Sequence, residues 1–334
     1  MKWRASLLCL LVLVGQSPMW LLHAGPKNSN VDEIGERDIN KGSWNLTSLE
    51  KEIALGRSLA AEVEKQVKLV SDPEITEYVS RVGQNIVRNS DAKVPFTIKV
   101  IDSEEINAFA LPGGFLYVNS GLVTTADEES ELAGVLAHEI AHVAARHGTE
   151  QQTKATIADF ARIPLIIFSG GLAQLVYNVY GLVVPLQFLQ FSRRAEAEAD
   201  YLGVQYMDKT GYDPTAFISY FEKVQAQEKK KPGKLSKIFS THPPTADRIE
   251  KSQKNIATIL PERDQYVVTT SEFDKIKAKL IALDNQRKPV AGEDSKRPTL
   301  KRRTPTNPGD SSDEPQSDDE DRPTLKRRSP LTIS

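Results

Sequence analysis

His138, Glu139 and His142 stand in the run Leu136-Ala-His-Glu-Ile-Ala-His-Val143, and their types and spacing describe a metal-dependent hydrolase. On a helix, residues four apart lie one above the other, roughly 5–6 Å apart. Two imidazoles so placed can grip one tetrahedral zinc ion. Glu139 sits one step round the helix, where it can reach a water beside the metal and take its proton. Zinc lowers the pKa of such a water to about 7, so a carboxylate suffices as base.

The surrounding residues predict a buried helix. Thr125-Ala-Asp-Glu128 reads as a capping box, and Asp127, Glu128 and Glu129 load the first turn with negative charge. Leu132, Val135, Leu136, Ile140 and Val143 recur at helical spacing. Gly134, Ala137, Ala141 and Ala145 keep the surface slim enough for a neighbouring helix, and Gly148 is the expected stop.

A tetrahedral catalytic site needs a third protein ligand. His147 closes the predicted helix, where it suits the dipole. The stronger candidates lie in Phe191-Ser-Arg-Arg-Ala-Glu-Ala-Glu-Ala-Asp-Tyr-Leu-Gly203. Glu196 and Asp200 are four apart and share a helix face, while Glu198 points away from both. Glu196 takes the ligand role, and Asp200, one turn on, orients a ligating imidazole from behind. Gly203 leaves room for the histidine helix.

With H-E-x-x-H followed by S-R-x-x-E-x-E-A-D-x-x-G, the chain resembles the HtpX-type gluzincin metalloproteases. Asn107-Ala-Phe-Ala-Leu-Pro-Gly-Gly-Phe-Leu-Tyr-Val-Asn-Ser-Gly121 and Ser240-Thr-His-Pro-Pro-Thr-Ala-Asp-Arg-Ile249 are similar to that family as well. The likeness spans roughly Glu50 to Asp284. It implies one zinc ion per chain on His138, His142 and Glu196, with Glu139 as base and Asp200 behind the ligands. It further implies hydrolysis of peptide bonds in misfolded or misassembled cell-envelope proteins. In gluzincins a strand edging the cleft pairs with the substrate backbone. Gly114 to Asn119, with Gly114, Phe115 and Tyr117, is the expected substrate strand, or equally a strand of the core sheet.

His242 and Arg248 are further candidate catalytic residues. His242 lies in a loop stiffened by Pro243 and Pro244, and Arg248 follows six residues on. His242 can donate to the oxyanion of a tetrahedral intermediate, or occupy the fourth metal position and hold the enzyme latent, or simply cap the next helix.

The 334 residues suffice for one catalytic domain with appendages, and a net charge of −2 predicts no nucleic-acid partner. Lys2 and Arg4 precede an apolar run from Leu7 to Val14, and residues 1–24 read as a secretory signal. An exported, periplasmic or other extracytoplasmic location follows. Cys9, the single cysteine, falls inside that signal, which excludes a thiol protease. Residues 163–191 are apolar but broken by Gly, Pro, Gln and Asn, an expected helical hairpin with peripheral membrane contact. The catalytic domain is expected over 25–285. It should be α+β, a helix-rich zincin-like fold with a small sheet beside the active-site helix. Residues 286–334 carry Arg-Pro-Thr-Leu-Lys-Arg-Arg twice, at 297–303 and 322–328, around an acidic stretch. They lack apolar periodicity and are an expected disordered tail.

Overall fold

The computed structural model describes residues 28–43, 45–155, 191–230, 242 and 245–287. The expected signal at 1–24, most of the apolar 163–191 segment and the repeat-bearing tail lie outside the described residues. The eight described helices named here are α1 (Leu49–Gln66), α2 (Pro73–Arg88), α3 (Ser120–Thr125), α4 (Glu129–Ala144), α5 (Arg193–Thr210), α6 (Thr215–Lys230), α7 (Ala246–Ile259) and α8 (Ser271–Arg287). Three strands, β1 (Thr97–Ile101), β2 (Ala108–Leu111) and β3 (Phe115–Asn119), form one sheet. The α+β, helix-rich expectation holds. No described helix is long and apolar enough to cross a membrane.

Local chemistry sets the helix starts. Ser48 accepts a hydrogen bond from Lys51 N at the head of α1, and Asp72 accepts from Glu74 N and Ile75 N at the head of α2. Pro73 stands at the first position of α2, where no N–H is needed. Ser192 caps α5 through Ala195 N, and Gly211 ends that helix in the left-handed region, at φ 84°. Asp213 accepts from Thr215 N as α6 begins.

The site is positioned by α4, every residue of which is buried. It packs against α5, α2, α6 and β2. Its slim face permits this: a Cβ on Gly134 would stand 2.9 Å from Phe217 Cβ of α6. A Cβ on Gly203 of α5 would stand 3.3 Å from His138 N, so that glycine does make room for the histidine helix.

In the sheet, β3 is central. It pairs in parallel with β1, with Lys99 opposite Tyr117, and antiparallel with β2, with Phe109 opposite Tyr117. The tight turn at 112–114 puts Gly113 and Gly114 at φ 75° and 93°. It presses on α1 so closely that a Cβ on Gly56 would meet Pro112 O at 1.7 Å.

Two local expectations are corrected. The capping box at 125–128 does not form, because Thr125 is taken by α3; Glu128 caps α4 without a side-chain bond, and Asp127 N instead donates to Glu131 Oε2 at 2.6 Å. Helix α4 ends at Ala144, ahead of Gly148, and the chain turns through Arg146 at φ 56° before residues 147–155 resume a helix. Helix α6 continues past Phe221 to Lys230. Ahead of α8, the chain is joined to the end of α5 by a single bridge, Tyr212 to Val267.

Candidate metal centre

One turn of α4 and one turn of α5 face each other, and a third segment closes over them. His138 and His142 present their Nε2 atoms 3.1 Å apart. From α5, a Glu196 oxygen lies 3.6 Å from His138 Nε2 and the other 3.5 Å from His142 Nε2. The loop before α7 adds His242, whose Nδ1 is 2.8 Å from Glu196 Oε1 and 3.4 Å from His138 Nε2. One donor atom from each of the four falls within 4.8 Å of the other three, and all four residues are buried.

This donor set fits zinc. Three imidazole nitrogens and one carboxylate oxygen converge at a spacing that one ion of ligand distance about 2.0–2.2 Å can bridge. Buried polar atoms otherwise need partners of their own, and here they crowd one another. Burial pushes the His142 pKa well down, and the neighbouring His138, His147 and His242 push it the same way. A neutral imidazole with a free lone pair is the ligand form. Burial pushes His138 down too, but the Asp200 and Glu196 carboxylates outweigh it and raise the pKa to about 9. Burial opposes ionisation of Glu196, yet hydrogen bonds from His138 and His242 hold it well below the usual carboxylate range.

Behind the donors, Asp200 Oδ1 is 3.0 Å from His138 Nδ1. Arg248 grips Asp200 through Nε and Nη2, each at 2.7 Å, and reaches Glu196 Oε2 with Nη1 at 2.9 Å. Arg248, expected as a catalytic residue, thus holds the two carboxylates of α5 in place with all three guanidinium nitrogens.

Glu139 stands off the donor face, as the spacing predicts. Its Oε2 accepts from Ala110 N of β2 at 3.1 Å, and Oε1 is 3.5 Å from His242 Nε2. Burial raises its pKa; charges on His242 and His138 pull the other way.

The substrate-strand expectation is also corrected. Strand β3 is paired on both sides, so its backbone has no free edge to offer. Tyr117 and Phe115 pack with Ala60 and neighbouring residues of α1, and Tyr117 Oη donates to Glu64 at 2.8 Å. Gly114 lies in the tight turn, its Cα face against Pro95 O. The edge that meets Glu139 belongs to β2, a four-residue strand inside the Asn107–Gly121 run whose brevity hid it from periodicity.

Residues 73–256 match the family described as Peptidase family M48. The chain belongs to that family. Its relatives include the Beta-barrel assembly-enhancing protease of Escherichia coli K12, 28% identical over 260 residues, covering 74% of this chain and 52% of the relative. The putative protease of the same name from Vibrio cholerae is 32% identical, covering 69% of this chain and 49% of the relative. The mitochondrial metalloendopeptidase OMA1 of Schizosaccharomyces pombe is 34% identical over 227 residues, with 64% of each chain covered. The chain thus spans about half the length of the bacterial relatives it matches. The gluzincin resemblance read from the motifs agrees with this family.

Proposed function

We propose that this chain is a zinc-dependent endopeptidase of an extracytoplasmic compartment, acting on misfolded or misassembled proteins. The observation that carries the reading is the placement of Glu139, buried beside four convergent metal donors and hydrogen-bonded to the edge of β2. His138, His142 and Glu196 hold the metal, with Asp200 and Arg248 fixing His138 and Glu196 from behind. Zinc, when bound, polarises the scissile carbonyl and makes a nearby water acidic.

Glu139 takes the water proton and passes it to the leaving amine. Burial raises its pKa, which makes it a stronger base than an exposed carboxylate. Ala110 N–H aims the carboxylate, and the edge of β2, unpaired with any strand among the described residues, is the segment that aligns an extended substrate by strand addition. His242 fills the fourth donor place. A catalytic zinc site keeps that place open, so His242, lying among the other donors, would act as a plug on this reading.

A second reading is a client-holding assembly factor that uses the same cleft without proteolysis. The plugged donor set favours it, and two bacterial relatives carry assembly in their names. Incubating the purified chain, or its Glu139→Gln variant, with envelope extract and sequencing new protein N-termini separates the two. New termini generated by the wild type and not by the variant support the peptidase. Identical profiles with clients retained on both proteins support the holding factor.

A further inference from the structure

A ligating histidine nearly always donates its second ring N–H to a fixed acceptor, which sets the tautomer and the ring angle. His138 has Asp200 for this. His142 faces the other way, and its Nδ1 lies 2.9 Å from Nδ1 of His147. The far nitrogen of His147, Nε2, lies 3.7 Å from a carboxylate oxygen of Glu198. His147 is buried, and Phe191 stacks on His142 at 4.1 Å, also covering His147 at 6.0 Å.

We propose that His147, backed by Glu198, is the positioning residue of the His142 ligand. The proton arrangement is settled by the pair. With Nε2 of His142 turned to the metal place, its proton sits on Nδ1 and is donated to Nδ1 of His147. His147 must then carry its own proton on Nε2, the nitrogen that faces the Glu198 carboxylate. Helix α5 thus presents three acids at alternate positions. Glu196 enters the donor set, Asp200 supports His138 and Glu198 supports the support of His142.

The backbone is shaped for this contact. In an uninterrupted helix, residues five apart point about 140° away from each other, so His147 could not return to His142. The left-handed turn at Arg146 brings it back. A non-glycine residue pays a steric cost there, and long-range bonds hold it: Arg146 Nε donates to Glu52 Oε2 at 2.6 Å and Nη2 to Thr47 O. Thr149 adds a bond to the same buried Glu52. A helix cap would need none of this.

The inference rests on the metal-site reading of His138, His142 and Glu196, and the test separates the two. The full chain is prepared as wild type, His147→Asn, His147→Phe and Glu198→Ala. Zinc affinity is measured by chelator competition, and the visible spectrum is recorded after cobalt substitution. Asparagine keeps an acceptor oxygen near the place of Nδ1, whereas phenylalanine fills the space without one. His147→Phe should bind zinc about 10–100-fold more weakly and shift the cobalt bands, His147→Asn should restore both, and Glu198→Ala should weaken zinc binding several-fold. Wild-type affinity and spectrum in a folded His147→Phe would overturn the proposal. Equal loss in the Asn and Phe variants would also overturn it, by showing that His147 binds metal itself or only fills space. Should His147→Phe fail to fold, Glu198→Ala and His147→Asn decide: unchanged affinity in the former, or loss in the latter, refutes the relay. Absence of stoichiometric zinc from the wild type would instead strike down the underlying metal-site reading.

Discussion

Single substitutions around the donor set separate binding from chemistry. Glu139→Gln should retain full zinc and lose about 10²–10⁴-fold in peptide hydrolysis, the range for a general base; metal analysis and a fluorogenic peptide assay read the two. Asp200→Asn should keep the fold and weaken zinc by about 10–100-fold, since its charge meets both His138 Nδ1 and Arg248; unchanged chelator competition would return Asp200 to a merely structural role. His242→Ala should raise turnover of a short peptide, because it empties the fourth donor place; a fall in turnover would make His242 the oxyanion donor. Much of this was legible in the chain. The four-residue spacings of His138 and His142 and of Glu196 and Asp200 are helix geometry, and helix geometry is local. The place of His242 was not, for a lone histidine in a loop says nothing about which cleft the loop crosses. His147 read as a cap for a similar reason: a left-handed turn at an arginine has no sequence signature, and Glu52, which secures it, lies 94 positions away along the chain.

At the scale of elements, a helix-rich fold with a small sheet beside the active-site helix was legible, but strand order was not. Whether β3 is an edge depends on a four-residue partner and on pairing across the sheet, neither of which periodicity reports. Packing supplies its own test. Gly56→Ala forces a methyl group into Pro112 O, and overpacking of this kind costs about 1–3 kcal/mol. Thermal unfolding should fall by several degrees, whereas Gly42→Ala, with nothing within 4 Å, should show only the strain of its positive φ. Helix α8 is tied to α2 differently, by Lys275 and Lys279 on Glu74 and by Lys279 on Asp72. Hydrogen bonds from Lys275 and Lys279 depress the Glu74 pKa from 4.5 to about 2. The ties are therefore complete above pH 4.5 and are lost as the pH falls toward 2. Amide exchange in α8 should accelerate over that window, and added salt should blunt the change because these charges are exposed.

For the whole molecule, the described residues end with α8 at Arg287. Deleting the residues after Lys288 should leave hydrolysis of a small peptide unchanged, and a large fall in thermal stability would show that the tail contributes to the core. If His242 is a plug, its junction with α7 bears on how long the enzyme keeps its metal once active. His242 and Arg248 are joined by a few residues, with Thr245 capping α7 between them. If activation drew α7 away together with the plug, Arg248 would release Asp200 and Glu196, and the ion would escape while the enzyme worked. A durable enzyme must free the donor set of His242 and leave α7 seated. Zinc dissociation timed during turnover distinguishes the two: a loss rate equal to that of the resting protein means that α7 stays in place, and a faster one means that each activation carries a limited lifetime.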